Sequence, residues 1–575
     1  MTKFIFVFGG VISGVGKGVT TASLGKMLKS YGFKTTLIKI DPYLNFDAGT
    51  LRPTEHGEVW VTEDGGEIDQ DLGTYERFMD ENIPKQNNIT SGQIYKTVID
   101  NERSGNYLGK TVQFIPHIPQ EIIRRLKLAS DGYEIAIVEV GGTVGDYENT
   151  PFLFAAKSLE QECGKDSVAH VLVSYLPVPY HIYEMKTKPT QQAVRLLRQE
   201  GLVPDFIVCR TAHPIDDERK KKIETSSHIL LDHIISAPDV SSIYEVPLNF
   251  ARDDFGKKMI DRLKLSPKAM PNWNLWKQQV DAILKPDNKI RVGIVGKYLD
   301  TGSYELQDSY VSIAEALVHA SAYHKKGCEI VWLDAKSFEV DDQQLKQLDD
   351  LDGVIIPGGF GMSGVEGKIN VISYLREHMI PFLGLCYGMQ LAVVEFARNV
   401  AQMCGAHTTE VNKETPYPVI DLLPMQKELL KNNDFGGTMR LGAYSAMLKK
   451  HTKVYDLYSN PNDFVIDAHT GEKKVFERHR HRYEVHPDYV EQIERAGLVF
   501  SGYHERADGT CLMEYIELPN HPFFVASQAH PEFKSRLANP NPIFAGFIRA
   551  CVDRMNQRIG KRSSAVSDTS KQVHC

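Results

Sequence analysis

A short apolar segment that ends in a glycine-flanked cysteine occupies residues 380–388, with the sequence Ile380-Pro381-Phe382-Leu383-Gly384-Leu385-Cys386-Tyr387-Gly388. The apolar run predicts a buried strand, and residues 389–399 (MQLAVVEFARN) have the spacing of an amphipathic helix. Cys386 therefore stands on a strand-to-helix turn, with a glycine two residues away on either side. This is the arrangement of a nucleophile elbow, with cysteine in the serine position. The partial positive charge of the helix N-terminus favours a thiolate there.

Two residues near the C-terminus offer the partners that such a nucleophile needs. His530 and Glu532 are two positions apart, so in an extended segment they share one face and the carboxylate can orient the imidazole. Residues 354–361 (VIIPGGFG) predict a strand that runs into a glycine-rich loop, a source of amides for an oxyanion hole. Most free cysteines are buried structural residues. The flanking glycines, the His-x-Glu pair and the Gly-Gly loop together favour a catalytic role for Cys386.

A second glycine-rich stretch follows the first predicted strand of the chain. Residues 3–8 (KFIFVF) predict a buried strand, residues 9–18 read GGVISGVGKG, and a helix is expected from about Val19 to Tyr31, before Gly32. Strand, loop and helix together make a phosphate cradle, in which backbone amides and the helix dipole bind the anion and Lys17 adds charge. A plain turn between a strand and a helix is the alternative interpretation.

The end of this loop departs from the standard Walker A motif, because Gly18 replaces the Ser or Thr that normally contacts magnesium. Carboxylates from elsewhere would then hold the metal ion. Asp71 lies in an acidic loop, and Glu139 ends a predicted buried strand at residues 135–139. The two carboxylates, the preceding strand and Lys17 favour nucleotide binding over a plain turn.

The segment from about Ile290 to Met555 resembles the class I glutamine amidotransferases, on the cysteine elbow, the Gly-Gly loop and the motif His530-Pro531-Glu532. The resemblance implies that glutamine is hydrolysed through a thioester and that ammonia is released. It implies Cys386 as the nucleophile, His530 as the base and Glu532 as the partner of the base. It also implies glutamine contacts from Gly359, Tyr387, Gly388, Met389, Gln390, Glu410 and Arg482.

Nearly the whole chain is similar to the CTP synthase family. The matching segments are 9–18, 39–45 (KIDPYLN), 55–59 (EHGEV), 72–78 (LGTYERF), 140–146 (VGGTVGD), 186–191 (KTKPTQ) and 242–244 (SIY). Segments 55–59 and 186–191 are the specific ones, whereas the phosphate loop and the cysteine elbow occur in other enzymes. The resemblance implies ATP-dependent amination of UTP to CTP, in which ATP phosphorylates the uracil O4 and ammonia from glutamine displaces that phosphate.

The same resemblance implies the residues that bind nucleotides and metal. Those expected to contact ATP, the cosubstrate, are Gly14, Val15, Gly16, Lys17, Gly18, Val19, Lys39, Asp71, Asp239 and Val240. Those expected to contact UTP or its product CTP are Ser13, Asp146, Tyr147, Glu148, Lys186, Thr187, Lys188, Pro189, Thr190, Gln191 and Lys222. Mg²⁺ is expected on Asp71 and Glu139. A solvated surface charge is the alternative for Lys222, because Lys220 and Lys221 precede it.

Regulation and assembly are implied by the family as well. GTP is expected as an allosteric activator and CTP as a feedback inhibitor. The expected assembly is a homotetramer, and members of the family also polymerise into filaments.

Composition is consistent with a large enzyme in the cytoplasm. The chain has 575 residues, of which 42% are hydrophobic, and it lacks an apolar run of transmembrane length. Met1-Thr2-Lys3 leads directly into a strand, so no cleaved signal is expected. Eight cysteines without a CxxC pair indicate a reducing compartment. The net charge of −8 gives no reason to expect nucleic acid as a partner.

The order of these features predicts two α/β domains. Residues 1–266 are expected to form an ATP-dependent amidoligase domain with a P-loop-like, doubly wound and mostly parallel sheet. Residues 267–289 are expected to be a linker, residues 290–558 an α/β class I glutamine amidotransferase domain, and residues 559–575 a disordered tail. The polar, turn-rich stretch at about 428–474 is interpreted as an insertion or lid.

Other functions compete with this interpretation. Cobyrinic acid diamide synthases share the loop and the triad type, but they lack segments 55–59 and 186–191. A filament-forming scaffold without catalysis is disfavoured by the intact set of Lys17, Asp71, Glu139, Cys386, His530 and Glu532. Residues 478–482 (RHRHR) could suggest a metal site, but the interleaved arginines favour binding of glutamine or an effector.

Overall fold

The computed structural model describes residues 2–51, 57–296, 307–340, 342–422 and 439–571. The chain divides into two compact units. Unit 1 comprises Met1–Leu51 and Glu67–Val280, and unit 2 comprises Arg52–Gly66 and Asp281–Cys575. The domain boundaries given above stay predictions. Segment 52–66 lies with unit 2, although its neighbours on both sides in the sequence belong to unit 1.

The strands are β1 (Lys3–Gly10), β2 (Thr35–Asp41), β3 (Val59–Val61), β4 (Glu67–Asp69), β5 (Asn88–Thr90), β6 (Ile135–Val140), β7 (Val168–Tyr175), β8 (Phe206–Thr211), β9 (Ile234–Pro238), β10 (Lys289–Gly296), β11 (Gly327–Asp334), β12 (Gly353–Ile356), β13 (Phe382–Leu385), β14 (His407–Thr408), β15 (Pro418–Leu422), β16 (Arg440–Leu448), β17 (Val465–Ile466), β18 (Lys473–His481), β19 (Tyr483–Val485), β20 (Val499–Glu505), β21 (Cys511–Glu517) and β22 (Phe524–Ser527).

The helices are α1 (Lys17–Ser30), α2 (Asp71–Met79), α3 (Ser91–Arg103), α4 (Phe114–Ala129), α5 (Thr150–Cys163), α6 (Lys188–Gln199), α7 (Asp217–Ser227), α8 (Val246–Arg252), α9 (Phe255–Arg262), α10 (Asn274–Leu284), α11 (Val311–Tyr323), α12 (Ser337–Val340), α13 (Val365–Glu377), α14 (Tyr387–Asn399), α15 (Lys453–Leu457), α16 (Pro487–Arg495) and α17 (Pro542–Lys571). Within the residues described, no helix combines the length and the apolar character needed to cross a membrane.

Unit 1 is built on a seven-stranded sheet with the order β5-β2-β6-β1-β7-β8-β9. Every strand pair in it is parallel. The inner strands are continuous apolar runs buried along nearly their whole length, as expected for a parallel sheet covered on both faces. The chain leaves β1 for β2 on one side and later returns to β7 on the other. Such a switch point at the carboxyl ends of parallel strands is where open α/β sheets bind ligands.

Unit 2 contains a ten-stranded sheet with the order β11-β10-β12-β13-β22-β21-β20-β16-β18-β17. The pairs from β11 to β22 are parallel, and those from β22 to β17 are antiparallel. The predicted elbow is the junction between β13 and α14. His530 follows β22, which lies directly beside β13. The nucleophile and its candidate base therefore follow adjacent parallel strands.

The predicted fold class, a parallel α/β synthase part and an α/β amidotransferase part, is confirmed. The interpretation of residues 428–474 as an insertion is wrong for 440–448, because β16 pairs with β18 and β20 inside the large sheet. Residues 423–438 of that stretch lie outside the described residues. The disorder predicted from Ile559 stays a prediction, and α17 continues to Lys571.

Close packing of β1 against α6 gives a first testable prediction. A Cβ atom on Gly10 would lie 2.6 Å from the Cβ of Ala193. Gly10→Val should therefore lower the free energy of unfolding by about 1–3 kcal/mol, measured by urea denaturation. Gly560→Ala is the control, because nothing lies within 4 Å of its added Cβ. An Ala in that helix should be neutral or stabilising, and equal destabilisation by both variants would contradict the packing argument.

Candidate active sites

The loop between β1 and α1 has the backbone that an anion cradle requires. Gly14 and Gly16 have φ angles of 70° and 90°, and Val11 has a φ of 82°. Open space surrounds the position that a Cβ of Gly14 would occupy. Lys17 begins α1 and is buried, and its Nζ donates to the carbonyl of Gly142 at 2.5 Å. Burial lowers the pKa of Lys17, and Glu139 acts in the opposite direction.

Two acidic side chains converge beside this loop. Lys39 Nζ donates to Asp71 and, at 3.0 Å, to Oε1 of Glu139. The buried hydroxyl of Tyr75 donates to the other oxygen of Glu139. A Cβ on Gly18 would lie 2.9 Å from Oδ1 of Asp71 and 3.7 Å from Oε2 of Glu139. The glycine at position 18 thus leaves room for both carboxylates against the loop.

This carboxylate pair fits a magnesium ion. Magnesium is usually held by one or two carboxylates together with substrate phosphates, rather than by a cage of protein ligands. Across the parts of the chain that the structure describes, no group of three or more His, Cys, Asp or Glu side chains could hold a metal ion. Asp71 and Glu139 instead bracket a cation, the Lys39 ammonium. Burial lowers the pKa of Lys39, but Asp71 and Glu139 outweigh burial and raise it well above its usual value.

A cavity that opens to solvent adjoins the phosphate loop, and its empty space, the open part included, is about 440 Å³. Its wall includes Gly16, Val19 and Val240, three of the residues predicted to bind ATP, together with Arg210. The Arg210 guanidinium pairs with Asp239 at 2.9 Å and donates to the carbonyl of Pro238 at 3.0 Å. The sequence reasoning missed Arg210. Its signal is only its place at the carboxyl end of β8, where parallel strands present ligand-binding groups.

The residues predicted to bind a pyrimidine nucleotide come from α6 and the segment before it, from α7, and from two loops. Lys186 pairs with Glu184 at 2.5 Å, Lys222 pairs with Glu218 at 3.2 Å, and Arg219 lies 3.8 Å from Glu184. The N-terminus of α6 and one face of α7 therefore meet around exposed carboxylates. A polyphosphate that binds Lys186 and Lys222 would therefore lie close to these carboxylates.

Within the same segment, Thr187, Lys188 and Pro189 form the start of α6. Gln191 donates to the hydroxyl of Thr187 at 3.2 Å. Thr190 is buried and accepts from the hydroxyl of Ser174 at 2.9 Å. Thr190 thus fixes the helix start against β7 instead of facing solvent.

The remaining predicted pyrimidine contacts lie in the loop after β6 and in the phosphate loop. Asp146 accepts from the amide of Thr143 at 2.6 Å and from its hydroxyl at 2.9 Å, so it stabilises the turn. Tyr147 and Glu148 are exposed at the tip of that loop. Ser13 is exposed in the phosphate loop.

The second candidate site lies at the elbow in unit 2. Cys386 has a φ of 50° and a ψ of −101°, and its amide donates to the carbonyl of Ser527 on β22 at 2.7 Å. Strained backbone of this kind costs on the order of 1–3 kcal/mol and clusters at functional sites. A Cβ on Gly388 would lie 2.1 Å from the carbonyl oxygen of Ile356. Only glycine fits there, so α14 can start close against β12.

His530 and Glu532 have the geometry of a base and its orienting acid. The Nδ1 of His530 donates to Oε1 of Glu532 at 2.7 Å, and both side chains are largely buried. A Cβ on Gly358 would lie 2.9 Å from Cε1 of His530 and 3.6 Å from the Cβ of Cys386, so the Gly-Gly loop borders both residues. Burial lowers the pKa of His530, but Glu532 and Cys386 outweigh it and raise that pKa well above the usual value.

The residues predicted to contact glutamine lie on several elements of unit 2. Glu410 accepts from the amide of Gly361 at 2.7 Å, and the Tyr387 hydroxyl donates to the carbonyl of Gly361 at 3.3 Å. Gln390 donates to the carbonyl of Tyr483 at 2.9 Å. Gly359 lies in the loop that follows β12, and Arg482 lies between β18 and β19.

Met389 differs from the prediction, and Gln528 adds to it. Met389 belongs to the hydrophobic core, so only its backbone can face a ligand. Gln528, which the sequence reasoning missed, has its amide nitrogen 3.9 Å from the Cys386 sulfur.

The histidines of segment 478–482 are buried. His479 and His481 contact each other through Nδ1 and Nε2 at 2.9 Å. Burial lowers the pKa of both well below the usual value, and Arg440 adds to that effect. Arg440 itself pairs with Glu514 at 2.7 Å and with Glu484 at 3.2 Å. The two histidines therefore belong to a buried polar cluster behind the elbow.

Comparison with known proteins gives the family of both parts. Residues 3–265 match the family model of the CTP synthase N-terminus, and residues 305–550 match that of the class-I glutamine amidotransferases. The CTP synthase of Methanocaldococcus jannaschii is 50% identical over 96% of this chain and 98% of its own length. That of Pyrococcus furiosus is 49% identical over 97% and 99%. A solved glutaminase domain of Trypanosoma brucei CTPS with bound acivicin is 33% identical over 46% of this chain and 94% of its own, with a TM-score of 0.41.

The fold and the two sites define a synthase that uses ATP and is joined in one chain to a class I glutamine amidotransferase. The chain belongs to the CTP synthase family, whose glutamine-hydrolysing members are ligases that convert UTP to CTP.

The His530–Glu532 contact yields the second prediction. Glu532→Gln keeps the shape of the side chain but removes its negative charge. That charge holds the His530 imidazole and raises the pKa of His530. We expect the kcat of glutamine hydrolysis to fall by about 10²-fold or more, with a smaller change in KM. CTP formation from added ammonium salts should stay within about twofold of the parent protein, because the change affects only the site of glutamine hydrolysis. Unchanged glutamine hydrolysis in this variant would contradict the assigned role.

Proposed function

We propose that this chain makes CTP in three chemical steps at the two sites described above. Cys386 hydrolyses glutamine to release ammonia, and the site around Lys17 and Lys39 transfers the γ-phosphoryl group of ATP to the O4 of UTP. Ammonia then displaces that phosphate at C4 of the pyrimidine ring. The observation that carries this proposal is the convergence of Lys39, Asp71 and Glu139 at Gly18 of a phosphate loop.

The hydrolytic step follows from the elbow. The Cys386 thiolate attacks the carboxamide carbon of glutamine, and His530 delivers its proton to the departing amine, so that ammonia and a thioester form. His530 then takes a proton from water, which cleaves the thioester to glutamate. Backbone amides of the loop at Gly358 and Gly359 are the proposed donors to the oxyanion. Glu410 and Arg482 are the proposed partners of the amino and carboxylate groups of glutamine.

The remaining glutamine contacts are proposed at the start of α14. Tyr387, Gly388, Met389 and Gln390 would line the substrate there. Tyr387 and Gln390 already hold neighbouring backbone at Gly361 and Tyr483, so their part is to fix the shape of the pocket.

The phosphoryl step requires positive charge around the transferred group. We assign Lys17 and Lys39 to that task and Asp71 and Glu139 to Mg²⁺, which neutralises the charge of the phosphate oxygens when it is bound. Loop amides of Gly14 to Gly18 would hold the ATP phosphates. The cavity beside Val19 would hold the nucleoside, with Val240 in its wall and Asp239 next to it as the partner of Arg210.

The second nucleotide is proposed to lie at the start of α6. Lys186, Lys188 and Lys222 would contact its triphosphate, with Gln191 as a polar contact. The backbone from Thr187 to Thr190 and the hydroxyl of Ser13 would complete the site. The loop of Asp146, Tyr147 and Glu148 would contact the CTP that inhibits the enzyme.

Regulation and assembly complete the proposal. GTP activates the glutamine-dependent reaction, and the active species is a homotetramer in the cytoplasm. A direct test incubates the protein with UTP, ATP, Mg²⁺ and glutamine and measures CTP by chromatography, with and without GTP. The absence of CTP under these conditions would overturn the proposal.

Separate variants distinguish the two sites. Cys386→Ala should abolish glutamine-dependent CTP formation and leave the reaction with added ammonium salts within about twofold, because only the nucleophile is lost. Lys17→Ala should abolish CTP formation from either nitrogen source. It should still allow Cys386 to be alkylated by a chloroketone analogue of glutamine, detected by mass spectrometry. Equal loss of both reactions in Cys386→Ala would show that the sites are not separate.

Feedback by the product supplies the next prediction. Carboxylates are poor neighbours of phosphate but good acceptors for ribose hydroxyls or a base amine. Glu148→Lys should therefore raise the CTP concentration that gives half inhibition by about tenfold, the effect of losing one interaction of about 1.4 kcal/mol. The dependence on UTP should change far less. Glu102→Lys, an exposed charge reversal on α3, is the control. A parallel shift of both the CTP and UTP curves would make Glu148 only a structural acid of the loop.

A further inference from the structure

Segment 57–66 lies against the amidotransferase triad. This segment contains β3 and belongs to unit 2, although β2 and β4, which flank it in sequence, belong to unit 1. Its Trp60 is fully buried. The Trp60 ring packs on Phe533, with centroids 5.0 Å apart and planes inclined at 59°. A single turn of 3-10 helix at Pro531–Lys534 places Phe533 three residues after His530.

Phe533 in turn covers the face of the catalytic imidazole. Its ring and that of His530 are stacked, with centroids 5.1 Å apart and planes at 21°. The hydrogen bond from Nδ1 to Glu532 fixes one point of the imidazole, but it leaves the tilt of the ring about that bond open. A stacked neighbour restricts that tilt, and so fixes the direction in which Nε2 points.

A buried arginine ties the same segment to the backbone of His530. The Arg478 guanidinium lies over the Trp60 ring, 5.3 Å from its centroid, and donates to the carbonyl of Val61 at 2.9 Å. It also pairs with Glu63 at 3.2 Å. The carbonyl of Arg478 accepts from the amide of His530 at 2.8 Å. Trp60 therefore contacts two residues that hold His530. Arg478 binds the His530 backbone, and Phe533 covers the His530 side chain.

We propose that Trp60 is a positioning residue for glutamine hydrolysis, and that it acts on His530 through Phe533. The proposal rests on the proposed function, in which His530 is the base. Without Trp60, Phe533 loses the surface that holds its ring, and the imidazole loses the ring that sets its plane. A displacement of about 1 Å in a catalytic group can cost on the order of 10²-fold in rate.

The test measures kcat and KM for glutamine hydrolysis, and CTP formation from ammonium salts, in three variants of the full chain. Trp60→Ala and Trp60→Leu should each lower the hydrolytic kcat by on the order of 10- to 100-fold and change KM by less than about threefold. Trp60→Leu keeps an apolar side chain in the core but lacks a flat ring, so it tests the stack even if the alanine variant does not fold. Trp60→Phe restores an aromatic face and should bring kcat to within about threefold of the parent protein.

Two controls separate positioning from general destabilisation. Trp332→Ala removes a half-buried tryptophan from β11 of the same unit, where it stacks on Tyr310 with ring centroids 6.2 Å apart. That variant should keep the kcat of glutamine hydrolysis within about twofold of the parent protein, because a change at a distant, independent site does not affect the triad. Ammonia-dependent CTP formation should be unchanged within about twofold in every Trp60 variant, because the phosphate loop is not involved.

A double variant tests the route through Phe533. If Trp60 acts only by holding that ring, Trp60→Leu combined with Phe533→Leu should hydrolyse glutamine no more slowly than the worse single variant. Losses that multiply would overturn that route. A kcat within twofold of the parent in Trp60→Leu, or a loss in Trp60→Phe as large as in Trp60→Leu, would overturn the proposal itself. A parent protein that does not hydrolyse glutamine would instead reject the proposed function.

Discussion

Parallel strands that end at one edge of a sheet bring the reacting groups of each site together. In unit 1 the carboxyl end of β1 leads into the phosphate loop, while Lys39 lies on β2 and Glu139 on β6, the strand between them. In unit 2 the elbow follows β13, and His530 follows its neighbour β22. The chain between these residues is long, so only the parallel register makes them neighbours. Each helix that starts at such an edge also directs its N-terminus at the same place, which suits phosphate and thiolate alike.

The second requirement is compensation of buried charge. Lys39 is almost fully buried, and it keeps its proton because Asp71 and Glu139 face it. Behind the elbow, Arg440 is paired with two buried carboxylates, and burial raises the pKa of one of them, Glu484, to about 7. Arg440 lies between the two carboxylates and offsets part of their charge, while burial disfavours the ionised form of each.

The sequence predicted the local motifs of this enzyme, but it did not predict contacts between residues that are far apart along the chain. The phosphate loop, the elbow and the His530–Glu532 pair are each encoded within a few residues, so glycine spacing and flanking apolar runs were enough. Tyr75, which supports Glu139, and Arg210, which lines the cavity, meet their partners only after the sheet has formed. The stretch interpreted as an insertion contains β16, in which Arg440, Gly442 and Ser445 interrupt the apolar residues. A strand of that kind lacks the continuous apolar pattern by which β1 and β13 were found.

Segment 57–66 shows why domain bounds drawn from sequence and units defined by packing need not agree. The segment stands inside the predicted synthase domain, yet its Trp60, Val61 and Glu63 are bonded or packed to residues on β18 and beyond. Trp60 cannot leave this packing without a cost, because a tryptophan removed from a core leaves a cavity that costs about 3–5 kcal/mol. The side chains of this segment therefore pack with unit 2 and not with the unit of its sequence neighbours. Five residues after Gly66, the same stretch of chain reaches Asp71, the proposed metal ligand. The backbone that packs near the proposed base of one reaction is thus covalently continuous, over a few residues, with a residue proposed for the other.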